Sequence, residues 1–310
     1  MGGFSGGAKR LGGQRKGSLA GTDQSRAGRC VLHGPFLVPP AGLSDACRPS
    51  HPIWTAREGD KMPSDIAAQP RTAPTGPRIP LPPPFDLIRT DHRDVLAHAA
   101  RLAPDHGAGT LVLHQSPGLL AFAVVLEPEQ VLAEARQAFI LGMAALADTL
   151  AAHCPPERPV CIHWPDLLLY DAARIGGGRL AAPDHCAEDA VPEWLVFGVE
   201  LIADRDHLDE TGLYPDSTSL REEDFDPAED IVSTFASYLM LYFDRWTHTG
   251  FDAVTDAFIR RIGPDLPTGQ RRIEACRLIE TTAGGVVCDY PTLRDALSQQ
   301  GWRDDAGPRL

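Results

Sequence analysis

The chain has 310 residues, 43% apolar and 23% charged, which is close to a globular average and enough to bury a core of ordinary size. Its net charge of −13 argues against a nucleic-acid partner, which would meet a basic surface able to displace counterions from phosphates. No run reaches the roughly 18 apolar residues of a membrane span, and the cysteines follow no regular framework, so free thiols in a reducing cytoplasm are expected.

Residues 1–84 read as a disordered arm. Gly, Ser and basic residues dominate the first part, and the stretch from Pro70 ends in Leu81-Pro82-Pro83-Pro84; such composition buries too little apolar surface to offset chain entropy. Met62 offers an alternative start that would leave residues 1–61 untranslated. From Phe85 onward the pattern is globular, with a main domain over 85–265 and a small β-rich module over 266–310.

Arg89–Leu102 reads as a helix. Thr110–His114 and Leu119–Glu127 read as strands joined by a Ser116-Pro117-Gly118 turn. Leu132, Phe139, Met143, Leu146 and Leu150 recur at three- and four-residue steps, which predicts a helix over Glu129–His153 stopped by Pro155-Pro156. Short strands follow at Pro159–His163, Leu167–Tyr170 and Ile175–Ala182, then a strongly apolar strand at Glu193–Ala203. Helices are expected at Ala228–Thr247 and Phe251–Ile262, a hairpin of Arg272–Glu280 with Gly285–Asp289, and a short helix at Thr292–Gln299. Strands interrupted by helices without strict alternation predict an α+β fold: a mixed sheet packed with helices.

The chemistry concentrates in His163-Trp164-Pro165-Asp166 and the following Arg174-Ile175-Gly176-Gly177-Gly178. Glycines let a backbone approach a ligand closely, and their amides can converge on an anion. Arg174 beside them supplies a planar cationic fork suited to carboxylate or phosphate. The same residues also read as a glycine-rich bulge in a strand with a solvated arginine.

Taken together, these blocks resemble the biotin/lipoate protein ligase family. Biotin protein ligases carry Lys-Trp-Pro-Asn-Asp and, about ten residues later, Lys-(Ile/Leu)-(Ala/Gly)-Gly; His163–Asp166 and Arg174–Gly177 fall at that spacing without a gap. Gly198-Val199-Glu200 resembles the family's Gly-Ile-Asn strand, and the likeness runs from about Phe85 to Leu297. It implies a class II synthetase-like fold and ATP-dependent activation of biotin or a lipoyl-type acid as an acyl-adenylate. The acyl group then passes to a lysine of a carrier protein. It further implies Arg174 and Gly176, Gly177 and Gly178 on the adenylate side, Asp166 as the carboxylate nearest Mg²⁺, and Trp164 and His114 as pocket walls. The chain departs from the family where Arg174 replaces a lysine, His163 a lysine and Asp166 an asparagine. Those replacements leave open a catalytically degenerate member that binds or senses the same ligand.

His114-Gln115-Ser116-Pro117-Gly118 partly echoes an octanoyltransferase pattern, but Asp204–Phe225 holds no cysteine for a thioester intermediate. His153, Cys154, Cys161 and His163 lack the spacing of a zinc knuckle and read as core. Phe235, Tyr238, Tyr242 and Trp246, at helical spacing, also read as core.

Overall fold

The computed structural model describes residues 78–264 and 269–310. The expected arm as far as residue 77, and the alternative start at Met62, lie outside them.

Seven strands form one mixed sheet: β1 (Asp86–Arg89), β2 (Thr110–Ser116), β3 (Leu119–Leu126), β4 (Val160–His163), β5 (Leu167–Tyr170), β6 (Ala173–Ala181) and β7 (Leu195–Ile202). Their order is β1-β2-β3-β7-β6-β5-β4. β1 and β2 run parallel, and every other neighbouring pair is antiparallel. The expected α+β architecture is what the chain adopts.

Both faces of the central strands are buried, yet they differ in size. One carries Leu113, Phe122, Phe197, Val199 and Leu201. Against it pack α3 (Gln137–His153), α4 (Ala228–Thr249) and α5 (Asp252–Arg261), with Phe235 of α4 set 5.0 Å from Phe122 and stacked at 5.9 Å on Phe197. The opposite face is built from Val112, Ala121, Ala123 and Val196, with Gly198 level with Ala123. Its small side chains let α1 (Val95–His106) lie close, with Leu96 directly over Gly198. Asp94 caps α1 by accepting from the Ala97 amide at 3.2 Å.

The structure corrects three boundaries. The helix expected from Arg89 begins at Val95, because Asp86–Arg89 pairs with β2 as an edge strand. The helix expected over Glu129–His153 is broken at Arg136 into α2 (Leu132–Ala135) and α3. Glu188 takes the Arg136 guanidinium at that break. The strand expected over Arg272–Glu280 is two, β8 (Gln270–Glu274) and β9 (Arg277–Thr281), joined through Ala275 and Cys276 at φ of 47° and 55°. Such a turn normally recruits Asn or Gly, and neither stands here to signal it. With β10 (Val287–Thr292) these strands form a separate antiparallel sheet in order β10-β9-β8, followed by the short helix α6 (Leu293–Leu297) and a two-residue hairpin, β11 (Arg303–Asp304) with β12 (Gly307–Pro308).

Upstream of β1, Ile79 is buried and the Pro80 carbonyl accepts from Ser233 Oγ at 2.6 Å. Among the described residues no helix is long and apolar enough to cross a membrane.

Residues 138–147 of α3 are all buried, because the helix is covered by the sheet, α4 and α5 together. Within it, a Cβ added at Gly142 would stand 2.6 Å from the Phe197 ring. That ring is itself fixed between Phe139 and Phe235. Gly→Ala in a helix ordinarily gains about 1 kcal/mol, but overpacking a filled core costs about 1–3 kcal/mol. Gly142→Ala is therefore expected to lower stability overall; urea unfolding showing an unchanged or raised midpoint would mean that Phe197 can move aside.

Candidate functional site

β5 and β6 are joined by a two-residue turn, Asp171 and Ala172, both at positive φ. Directly after it the register slips: Leu169 faces Arg174 and Leu168 faces Gly176, so Ile175 is an extra residue and turns into the core. This bulge sets Arg174 at the sheet margin. Its backbone is gripped from the far side, the amide donating to Asp216 O at 2.8 Å and the carbonyl accepting from Thr218 N at 2.9 Å.

The three glycines have three separate reasons to be small. Gly176, at φ 150°, completes the bulge, and a Cβ there would meet Glu200 O at 2.1 Å. A Cβ on Gly178 would strike Met143 of α3 at 2.3 Å. Gly177 alone opens toward the other side, where its Cβ position lies 2.3 Å from Asp166 O and 2.7 Å from the Trp302 indole. The Gly178 amide already donates to Asp166 O at 2.8 Å, so the amides do not converge on one empty anion nest.

Asp166 is buried in the turn between β4 and β5. Its Oδ2 accepts two N–H groups at 2.8 Å each, from Trp302 Nε1 and from Gln300 Nε2. Burial pushes its carboxyl above the ordinary aspartate range, and those two hydrogen bonds only partly oppose the shift. With Oδ2 so engaged, Asp166 does not fit a Mg²⁺ ion as the chain is folded here. Among the described residues no group of three or more His, Cys, Asp or Glu is placed to hold a metal.

The remaining expected residues lie apart. His114 falls in one cross-strand row with Ala121, Glu200 and Gly177, three strand spacings (about 14 Å) from the glycine. Its Nδ1 lies 3.2 Å from Thr90 O and so carries the proton, while buried Nε2 has no partner. Trp164 faces the helices: it meets Phe258 edge-on at 5.9 Å and donates from Nε1 to Pro291 O. It ties the main sheet to β10 and does not line the surface around Gly177.

The sequence did not mark the charges that fill the row. Glu200, whose side chain is 3% exposed, accepts from Arg179 Nη1 at 2.7 Å and from Arg303 at 2.9 and 3.3 Å. Arg179 also holds Asp94, the α1 cap, at 2.9 Å. Partial burial pushes the Asp94 carboxyl up, but the Ala97 amide and Arg179 outweigh it and leave the group below its ordinary value. A lone carboxylate inside an otherwise apolar strand was the available cue, since burying it demands a cation. Nothing local pointed to Gln300, Trp302 or Arg303.

Arg174 differs from Arg179. Its Nε donates to the Arg309 carbonyl at 2.8 Å, and no carboxylate among the described residues pairs with it. The chain's lysines, Lys9, Lys16 and Lys61, all precede the described residues, so every cationic side chain around the site is arginine or histidine.

Comparison with known proteins bears on the family and the fold. Residues 81–260 match the family described as Biotin/lipoate A/B protein ligase family. Among solved structures, a biotin protein ligase-like protein of unknown function from a Silicibacter species superposes with a TM-score of 0.57 at 24% identity, over 70% of this chain and 98% of that one. A biotin protein ligase from Aquifex aeolicus, solved with biotin and ATP, gives 0.48 at 15% identity, over 66% and 94%. No curated protein matches the chain.

The raised Asp166 carboxyl has a consequence for stability. A folded-state pKa above the ordinary value means that the protonated form favours folding; this contribution is complete below the ordinary value and is lost as pH rises through the raised one. Asp166→Asn resembles the protonated form and keeps an acceptor for Trp302. It is expected to raise the denaturation midpoint at pH 7 and to change it little near pH 4. A lower midpoint at pH 7 would show that hydrogen bonding to the anion outweighs its burial.

Proposed function

The chain belongs to the biotin/lipoate A/B protein ligase family, and from that premise we propose that it activates biotin or a lipoyl-type acid with ATP as an acyl-adenylate and passes the acyl group to a lysine of a biotinyl- or lipoyl-type carrier protein. The observation that carries this reading is the guanidinium of Arg174, half-buried, without a carboxylate partner among the described residues, and held by the β6 bulge on the same strand as Gly177. A cation kept partly out of water without a carboxylate is an electrostatic receptor for an anion. Charge placed in advance where it accumulates on carboxylate and phosphate lowers the barrier to attack of the carboxylate oxygen on the α-phosphorus, which breaks the bond to the β-phosphate and releases pyrophosphate.

In this reading Arg174 orients the acid's carboxylate against the nucleotide's α-phosphate. Gly177 sets no side chain between the strand and a substrate that takes the place of the Trp302 indole, with Asp166 a polar group beside it and His114 a second one farther along the same row. Trp164 acts through packing, holding the turn that carries Asp166. Mg²⁺ would be held on the nucleotide's phosphates and not by Asp166, and would supply charge neutralisation there. The thiols of Cys154, Cys186, Cys276 and Cys288, outside any disulfide, support a cytoplasmic setting. The acidic balance supports a small acid and a carrier protein as partners in preference to nucleic acid.

A second reading, a member that binds the ligand without the chemistry, is favoured by arginine standing where the family uses lysine. Arginine keeps the charge but offers a different fork and does not deprotonate. Two measurements separate the readings. Thermal unfolding of the protein with biotin, lipoate or octanoate, each with and without Mg-ATP, should show one acid adding about 2.7 kcal/mol at a hundred-fold excess over its Kd. Exchange of pyrophosphate into ATP should then depend on that same acid and fall at least about a hundred-fold in Arg174→Ala, an interaction of 2.7–4 kcal/mol in the transition state. Binding of the acid without exchange, with exchange appearing only in Arg174→Lys, would establish the second reading. Binding of none of the acids removes both.

A further inference from the structure

The residues that surround the candidate site all belong to the stretch that matches the family, yet what lies on them does not. The family match ends at residue 260, and the segment over the site is Gln300–Arg309. Trp302 spreads its indole over Gly177 and donates to Asp166. Gln300 donates to the same oxygen of Asp166 and, at 2.9 Å, to Gly178 O. Arg303 reaches Glu200, the Ala306 carbonyl accepts from Arg93 at 2.9 Å, Gly307 lies over Leu119, and the Arg309 carbonyl takes the Nε of Arg174.

Two features distinguish this cover from a permanent core. It is fastened by side-chain hydrogen bonds, one ion pair and the buried indole of Trp302, around a hairpin whose strands are two residues each, so it stands outside the hydrogen-bonded ladder of the sheet beneath. Polar atoms also stay unmet on this face of the sheet. His114, more than nine-tenths buried, has no partner at Nε2, and Arg179 has none at buried Nε. A ligand extending along the row from Gly177 brings a group to His114 Nε2, which the tail does not.

We propose that Gln300–Arg309 is a removable occupant of the site, with its indole and amide holding the place of a planar ring that carries N–H donors. This rests on the ligase reading above, and it defines the part of the substrate that must displace the tail. Two N–H groups converge on one Asp166 oxygen, above a glycine that leaves room for a flat ring. The displacing ligand therefore presents a planar ring with N–H groups to Asp166 and an anion to Arg174. Biotin has such a ring in its ureido group, and ATP has one in its adenine; lipoate and octanoate have none. The protein rests in a self-occupied state, and apparent affinity is reduced by the fraction of molecules with the tail in place.

The test uses the full chain. Hydrogen–deuterium exchange of the peptide spanning 300–309 is followed with biotin, ATP, both together, or lipoate, alongside calorimetric titration of each. Exchange in that peptide is expected to rise with the ligand that carries the N–H ring, identifying biotin or the adenine as the displacing group, and to stay unchanged with lipoate alone. Arg303→Gln and Trp302→Phe each loosen the tail, and each should bind that ligand at least about ten-fold more tightly than the native chain. Exchange elsewhere in the sheet checks that the variants are folded. Binding to the native chain with exchange in 300–309 unchanged or reduced, and no tightening in either folded variant, overturns the proposal and leaves the ligase reading standing. Binding of no acid and no nucleotide by native chain or variants ends both.

Discussion

The carboxylate of Glu200 sets the terms for the whole α1 side of the molecule. It stands on a strand whose other residues are all apolar or glycine, with almost no access to water. An ion in that position is tolerated only with close cations and saturated hydrogen bonds, and removing one partner from such a group ordinarily costs about 3–5 kcal/mol. Arg179 and Arg303 meet the demand together, Arg179 at Oε1 and Arg303 at both oxygens. Arg179 carries the requirement onward to Asp94, so the start of α1 is fixed by the same charge that fixes the C-terminal tail. A single residue on β7 thus connects a helix cap, a neighbouring strand and a segment about a hundred residues away.

The sheet makes this possible by being coarse on one face and fine on the other. Phenylalanines and leucines face α3, α4 and α5 and supply most of the apolar burial. Alanine and glycine face α1 and the tail, where close backbone approach matters more than bulk. The site therefore lies on the thin-walled face, where a planar group can rest almost on the strands themselves. The bulge at Ile175 is what delivers a cation to the edge of that surface.

Much of this was legible in the residues. β3 and β5 are uninterrupted apolar runs and β7 is apolar or glycine but for Glu200, each with turn chemistry at its ends, and α4 declares itself by periodicity, so all four are legible to within one or two residues. β1 was not found, because a four-residue edge strand, Asp-Leu-Ile-Arg, gains its identity only from pairing with β2. The β8–β9 turn was missed because Ala275 and Cys276 adopt a conformation that other residues usually supply. The glycine run was located correctly but given one shared purpose, where the structure gives each member its own neighbour. Trp302 and Arg303 reach partners across 136 and 103 residues of sequence, and no local pattern records a contact of that range.

The placement of lysines bears on where an activated acyl group can go. An acyl-adenylate is an electrophile, and amines are what it acylates to give a stable amide. From Met62 to the C-terminus this chain has no amine side chain at all. Its many cationic contacts there, including those of Arg174, Arg179 and Arg303, use guanidinium, which stays protonated and is a poor nucleophile. The described residues therefore hold no side-chain amine on which an activated acyl group could form a stable amide. Any acyl-lysine traced to this protein's site must lie on another molecule or among Lys9, Lys16 and Lys61.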